Sequence, residues 1–452
     1  MLPGIEKKIN AAGLTSGNRV LVAVSGGVDS VVLLHLLADS AARFGLQVQV
    51  AHLDHQIRSN SHYDADFVRQ LSDSLQLPCV VGVVDVPALK RGAGISLEMA
   101  GRQARRDFLL RTADQVDARM IALAHHRDDQ VETFLLRLLR GSGATGLAAM
   151  RTLHGRWWRP LLDCSREQIQ TYAKTRNLSW VEDASNVDPQ FLRNRVRHNL
   201  VPQLGEINPQ FSGRVSELCR QLQVDEDYWC QQVEAVFPSL IESAQDGLRL
   251  KRQELLGLHE ALRVRVLREA LRQLRGDLQR LEAIHLNAIV ELVTGKRSQA
   301  QLDLPGCWVA RRYETLWLRK CAPESVSSYD MELPVPGELR LPCGRVLRVH
   351  LTDEPAGEFA LAVEFSLAEI GAQLRVRSWQ PGDRFEPLGL QGSKKLKLFF
   401  GDAKVELEDR LRVPLLISGK QILWLAGMRR SRHATVNERT KEILRVELLE
   451  EA

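Results

Sequence analysis

Apolar positions near the amino end come in two alternating rhythms. Short runs of aliphatic residues at Arg19 to Ser25, Leu46 to Leu53, Val80 to Val84 and Arg119 to Ala124 have the length and composition of buried strands. Between them, Val28 to Ala42, Ala65 to Leu75 and Leu97 to Val116 repeat their apolar residues at helical spacing. The alternation predicts an α/β domain, a parallel sheet with helices on both faces. Ligands of such sheets sit outside the carboxyl ends of the strands. Three polar clusters fall at those ends: Ser25 to Ser30, His52 to His55, and His125 to Gln130. From about Pro209 to Gly295 the rhythm is helical, as in Leu255 to Leu274 and Leu278 to Val293. A β-type region follows from about Leu302 to Val349, with turns at Pro305-Gly306 and Pro336-Gly337.

The first cluster carries the sharpest chemistry. A strand, the turn Ser25-Gly26-Gly27-Val28 and a helix start at Asp29-Ser30 make an anion site. The glycines let a phosphate approach the backbone, and the first amides of the helix point at it. Ser25 and Ser30 add hydroxyls. Asp29 would repel phosphates unless a cation intervenes, so its expected job is to hold Mg²⁺. The spaced glycine and Gly-Lys-Ser/Thr ending of a Walker A loop are missing, and so is Gly-x-Gly-x-x-Gly. An ordinary strand-to-helix turn is the bland alternative.

The other clusters are read the same way. Asp54 and His55 face either a nucleoside or a substrate, or Asp54 merely caps a turn. Glu98, Arg102 and Arg105 share a helix face, where an arginine can stabilise leaving pyrophosphate or form a solvated pair with the glutamate. Asp128, Asp129 and Glu132 open a helix. Acidic first turns suit the helix dipole, yet clustered carboxylates at this place also suit Mg²⁺. Arg193, Arg195, Arg197 and His198 form a basic cluster, either surface charge or an RNA contact. Arg140 to Gly146 reads as a mobile glycine-rich loop beside the site, or as a plain linker.

Bulk properties narrow the class. At 452 residues the chain holds two to four domains, and 44% hydrophobic with 26% charged residues is ordinary for a soluble globular protein. No run reaches transmembrane length and the amino end lacks a signal-peptide core, so no membrane partner is expected. Seven cysteines without a close pair argue for a reducing, cytoplasmic setting. The net charge of +5 permits a nucleic-acid partner. From residue 374 onward there are 16 Lys+Arg against 11 Asp+Glu, so the whole excess sits in the carboxyl-terminal segment.

Ser25 to Ser30 resembles the pyrophosphate (PP) loop of ATP-pyrophosphatases, which split ATP between the α and β phosphates. His52 to Arg58, Glu98 to Arg105, Ala124 to Gly141, Trp180 to Asn186 and Arg193 to His198 together resemble the tRNA(Ile)-lysidine synthetase family. Arg106 stands where that family's pattern usually has tyrosine. The resemblance implies three domains. These are a Rossmann-like, parallel-sheet PP-loop ATPase domain (1–210), a mainly helical tRNA-binding middle domain (211–325), and a smaller α+β domain (326–452) that holds the tRNA acceptor stem. It implies ATP and Mg²⁺ as cofactors, with L-lysine and the tRNA(Ile) bearing a CAU anticodon as substrates; a homodimer is allowed. The wobble cytidine is adenylated at its C2 oxygen, and the lysine ε-amine then displaces AMP. ATP would sit on Ser25, Gly26, Gly27, Val28, Asp29, Ser30, His52 and Asp54. The metal would sit on Asp29 with Asp128 or Asp129. Asp29, Arg102, Arg105, Asp129 and Glu132 would carry catalysis, with Glu132 or Asp54 accepting the amine's proton. The tRNA would meet Arg193, Arg195, Arg197 and His198, and at the far end Arg384, Lys394, Lys395 and Lys397. The alternatives are a PP-loop tRNA thiolase, disfavoured because no Cys-x-x-Cys is present, and a non-catalytic ATP-dependent tRNA-binding factor.

Overall fold

Strand β1 (Arg19–Ala23) is central in a six-stranded sheet. Beside it lie β2 (Gln47–Asp54) and then β3 (Cys79–Val83); on its other side come β4 (Met120–Ala122), β6 (Trp157–Trp158) and, at the edge, β5 (Leu153–His154). All pairings are parallel except β5 with β6. The computed structural model describes residues 4–56, 61–93, 96–182, 192–324, 326–357, 359–370, 373–390 and 392–450. The chain divides into two compact units, Met1–Cys230 and Gln231–Ala452.

The pleat of β1 sends alternate side chains to opposite faces. Val20 and Val22 enter one core, with Val32, Leu33 and Leu37 of helix α2 (Val28–Phe44) and Ile9 of α1 (Ile5–Ala11). Val68 of α3 (Ser61–Ser74) joins them. Leu21 enters the other core, with Val86 of α4 (Val86–Ala93) and Phe108 and Leu109 of α5 (Leu97–Gln115). Each fully buried aliphatic side chain stabilises the fold by about 2 kcal/mol. The parallel sheet therefore has helices on both faces, as the alternation of runs implies. Helices α1 and α4 and the β5–β6 hairpin carry no readable signal, because two-residue strands show no period.

Helix α6 (Arg127–Leu139) follows β4. After it come α7 (Ala144–Leu147), α8 (Arg166–Thr175), α9 (Leu192–Arg195), a π-turn at Val196–Leu200, α10 (Val201–Ile207) and α11 (Phe211–Leu240). Hydrogen bonds hold the end of α7 and the residues that follow it. Arg137 Nη1 donates to the Gly146 carbonyl (2.6 Å), and Gln130 exchanges two hydrogen bonds with the Met150 backbone. Gln223 on α11 donates to the Ala148 and Met150 carbonyls.

In the second unit, the helices Glu260–Arg275 and Ala283–Thr294 pack on an antiparallel sheet of five strands between Ile241 and Arg319. Val266, Leu271 and Ile289 meet Val309, Leu316 and Leu318 there. Further on, a five-stranded and a four-stranded antiparallel sheet share a core containing Phe365, Trp424 and Val446, with one short helix at Leu396–Asp402. Among the described residues, no helix is long and apolar enough to cross a membrane. All seven cysteines are free thiols.

Candidate active site

The carboxyl ends of β1, β2 and β4 open onto a cavity of about 500 Å³. Ser25, Gly27, Asp29 and Ser30 line it from the turn after β1; His52, Asp54 and His55 line it from the end of β2. Gly26 has φ +91°, a left-handed conformation that glycine adopts without steric cost. Gly27 is the N-cap of α2. The turn is knotted by Ser30, whose Oγ donates to the Gly27 carbonyl (2.8 Å) and accepts the Ser25 amide (3.2 Å). Strand, glycine turn and helix dipole thus form the anion cradle.

His126, the N-cap of α6, sits among three carboxylates. Its Nε2 lies 3.6 Å from Asp29 and 3.4 Å from Asp129, and its Nδ1 lies 3.4 Å from Asp128. Nδ1 also lies 3.2 Å from the Asp128 amide, which favours a lone pair there, but three carboxylates around one ring favour the proton. Burial alone would lower the pKa of this imidazole; the Asp128 and Asp29 carboxylates, with Asp129, overcome it and raise the pKa to about 10. Asp29 and Asp129 therefore share one side of the ring, with Asp128 on the other. Asp128 Oδ2 instead accepts the Arg166 amide (2.8 Å), and Asp128 does not line the cavity.

Asp29 Oδ1 is buried with no hydrogen-bond partner, which fits a cation ligand. Among the described residues no cluster of three His, Cys, Asp or Glu side chains forms a ready-made metal site. The donor set fits Mg²⁺ held by one or two carboxylates plus phosphate oxygens and water, rather than a protein cage.

Glu132 is 1% exposed and does not line the cavity. It accepts Arg193 Nε (2.7 Å), Arg197 Nε (2.5 Å) and Arg197 Nη2 (3.1 Å). The same arginines reach Asp129 Oδ1 at 2.9 and 3.3 Å. Asp129 and Glu132, three residues apart on α6, thus share the same two arginines. Glu132 lies behind the cavity wall with both carboxylate oxygens taken by guanidiniums, an arrangement that fits a positioning role. Arg193, Asn194 and Arg197 line the cavity, whereas Arg195 and His198 are exposed. The basic cluster expected to meet RNA is therefore split between the cavity and the surface.

Arg105 also lines the cavity, but Arg102 does not and is exposed. His52 is held neutral by burial and donates from Nδ1 to the Val24 carbonyl (2.8 Å). Burial, with the charge of Arg105, lowers His55 to about 4; burial, with Arg159, Arg193 and Arg105, lowers His125 to about 4 against the pull of Asp129. His125, from the third polar cluster, lines the cavity, as do Asn194 and Asp64, which spacing had not singled out. In the carboxyl-terminal region, Arg384 Nε donates to Ser393 Oγ (2.7 Å), Lys394 pairs with Asp402, and Lys395 and Lys397 are exposed. Ile57, Arg58 and Asp183 to Asn186 lie outside the described residues, as does the Glu98 side chain.

Three family models match the chain: a PP-loop domain over residues 1–204, a TilS substrate binding domain over 250–317 and a TilS substrate C-terminal domain over 374–448. The tRNA(Ile)-lysidine synthase of Geobacter sulfurreducens is 38% identical over 95% of this chain and 93% of its own length. That of Dehalococcoides mccartyi is 35% identical over 98% of both. A solved TilS C-terminal domain is 28% identical over 28% of this chain and 99% of that one, with a TM-score of 0.27. Identity at this level across nearly the whole of both chains, with the phosphate cradle intact, places this chain in the tRNA(Ile)-lysidine synthase family.

Proposed function

We propose that this protein uses ATP to join lysine to C2 of the wobble cytidine in the CAU anticodon of tRNA(Ile), releasing AMP and diphosphate. The product, lysidine, changes the codon read from AUG to AUA and the charging identity from Met to Ile. One observation carries the reading: the Ser25–Ser30 cradle, Asp29 with its buried unpartnered oxygen, and the cations Arg105, Arg193 and Arg197 converge on one cavity. That combination suits splitting a nucleoside triphosphate and stabilising the charge that leaves.

The physics of the two steps follows. A cytosine carbonyl oxygen is a poor leaving group. Its attack on the α-phosphorus expels diphosphate and leaves an adenylate at C2. The turn amides and the Ser25 and Ser30 hydroxyls hold the phosphates, and Arg105 neutralises the departing charge. Mg²⁺ on Asp29, with Asp129 beside it, would screen the phosphates and polarise the α-phosphoryl group. The lysine ε-amine must lose a proton to attack C2 and expel AMP. Asp54, which lines the cavity, is the candidate acceptor. Glu132 keeps Arg193 and Arg197 facing the cavity.

The remaining parts of the proposal concern the rest of the chain. Residues 1–210 catalyse, 211–325 bind tRNA, and 326–452 hold the acceptor stem, with Arg384, Lys394, Lys395 and Lys397 as contacts and Arg195 and His198 nearer the anticodon. A cytoplasmic location and a homodimer belong to the same reading, the latter tested by light scattering. The direct test is incubation of tRNA(Ile) with ATP and labelled lysine, followed by nucleoside analysis. Label in a modified cytidine is the expected result; ATP-dependent tRNA binding without label would refute it.

A further inference from the structure

Outside the cavity, α5, α6 and the segment after β6 bring together arginines that do not line it. Arg102 and Arg106 lie one turn apart on the α5 face beside Arg105. The Arg106 guanidinium lies 5.3 Å from the centre of the Trp157 ring. Arg137 on α6 is fixed by its bonds to the Gly146 and Ala149 carbonyls, and Arg159 by Nη1 donating to the Arg151 carbonyl (2.9 Å). Arg159 Nε is buried without a partner. Among the described residues, none of these four has a carboxylate within ion-pair distance, in contrast to Arg193 and Arg197 at the cavity wall.

The four charges act on one another. Arg102 lies close enough to disfavour the charge of both Arg137 and Arg159, after burial, and Arg106 adds to the effect on Arg159. Arg159 in turn joins Arg105 and Arg193 in acting on His125 at the cavity wall. Positive charge therefore runs unbroken from the cavity outward. Assembling like charges costs free energy unless an anion fills the space between them. The triphosphate is not that anion, because none of the four lines the cavity that contains the cradle.

We propose that Arg102, Arg106, Arg137 and Arg159 form a cationic track that holds backbone phosphates of the RNA strand whose base enters the cavity. The inference rests on the tRNA reading above and adds the path by which the strand arrives. Clustered guanidiniums, three of them anchored, suit backbone phosphates, and Trp157 sets the orientation of Arg106. The track selects for a single strand's charge and not for its sequence.

The test uses the full chain, a fluorescent anticodon stem-loop RNA, and anisotropy titrations across a salt series. Arg106→Gln and the double variant Arg102→Gln/Arg106→Gln are compared with wild type. The double variant is expected to bind about tenfold more weakly, and the slope of log affinity against log salt should fall by about 0.7 per lost contact. Arg106→Lys should keep the slope. For Arg106→Gln the KM for ATP should stay within about twofold, and the melting temperature should hold, since that side chain is exposed. Unchanged RNA affinity and slope would overturn the track. So would a raised KM for ATP with RNA binding intact, which would give these arginines to the nucleotide. Wild-type protein that binds the RNA but incorporates no lysine would refute the proposed function while leaving the track to be judged by the same titrations.

Discussion

Glu132 separates two views of the site, and removing its charge tells them apart. The side chain is 1% exposed and accepts three hydrogen bonds from Arg193 and Arg197, at 2.5 to 3.1 Å. Breaking a fully buried ion pair costs about 3–5 kcal/mol, because the partner is left charged and unpaired. Here the arginine side chains keep 34% and 21% exposure, and Asp129 still reaches both. The expected cost of Glu132→Ala is therefore nearer 2–3 kcal/mol. In a unit of about this size each kcal/mol moves the melting temperature by roughly 2–4 °C, so calorimetry should show a fall of about 4–12 °C. Glu132→Gln keeps an acceptor oxygen and should lose about half as much. Both variants should slow adenylation, measured as tRNA-dependent diphosphate release, because two cavity arginines lose their anchor. If Glu132 were instead the base for lysine, adenylation would be intact, the adenylate would accumulate, and the melting temperature would barely move. That pattern would refute the positioning role.

Asp29→Asn should leave the fold intact but raise the Mg²⁺ concentration needed for diphosphate release by about tenfold or more, corresponding to at least ~1.4 kcal/mol; an unchanged requirement would remove Asp29 from the metal. Gly26→Ala would force a Cβ into φ +91°, costing about 1–2 kcal/mol, although its nearest neighbours at 3.6 Å leave room; the KM for ATP should rise several-fold in steady-state assays. His55 and His125 have folded pKa values near 4, below the value of 6.5 for an exposed imidazole. Between those values the unfolded chain binds more protons, so stability should fall as pH drops from 6.5 to 4. The slope approaches about 1.4 kcal/mol per pH unit for each histidine, and urea titrations of His125→Gln should show a shallower one. In the second unit, the wholly buried Arg312 side chain pairs with Glu408; Glu408→Ala should destabilise that unit by about 3 kcal/mol while lysidine chemistry in the first unit keeps its kcat for a bound anticodon stem-loop.

Local rules were enough to read the cradle. A buried strand must be apolar, a left-handed turn wants glycine, and a helix start exposes amides, so residues 19 to 44 declare their geometry over a short span. The parallel sheet followed for the same reason, since each strand and helix carries its own period. The carboxylates were different. Asp128, Asp129 and Glu132 share one helix turn, and spacing cannot say which of them faces the cavity. The answer comes from His126, which separates Asp128 from Asp29 and Asp129, and from arginines 61 to 68 positions away that claim Asp129 and Glu132. The cluster from Arg193 to His198 shows the same limit: a run of basic residues reads as one surface until a helix turn sends Arg193 and Arg197 inward and Arg195 and His198 out. Periodicity and turn chemistry are properties of neighbouring residues, so the sequence alone determined the strand, the glycine turn and the anion site. Charge pairing depends on which distant side chains close packing brings together, and only the tertiary structure decided which carboxylates line the cavity and which hold arginines.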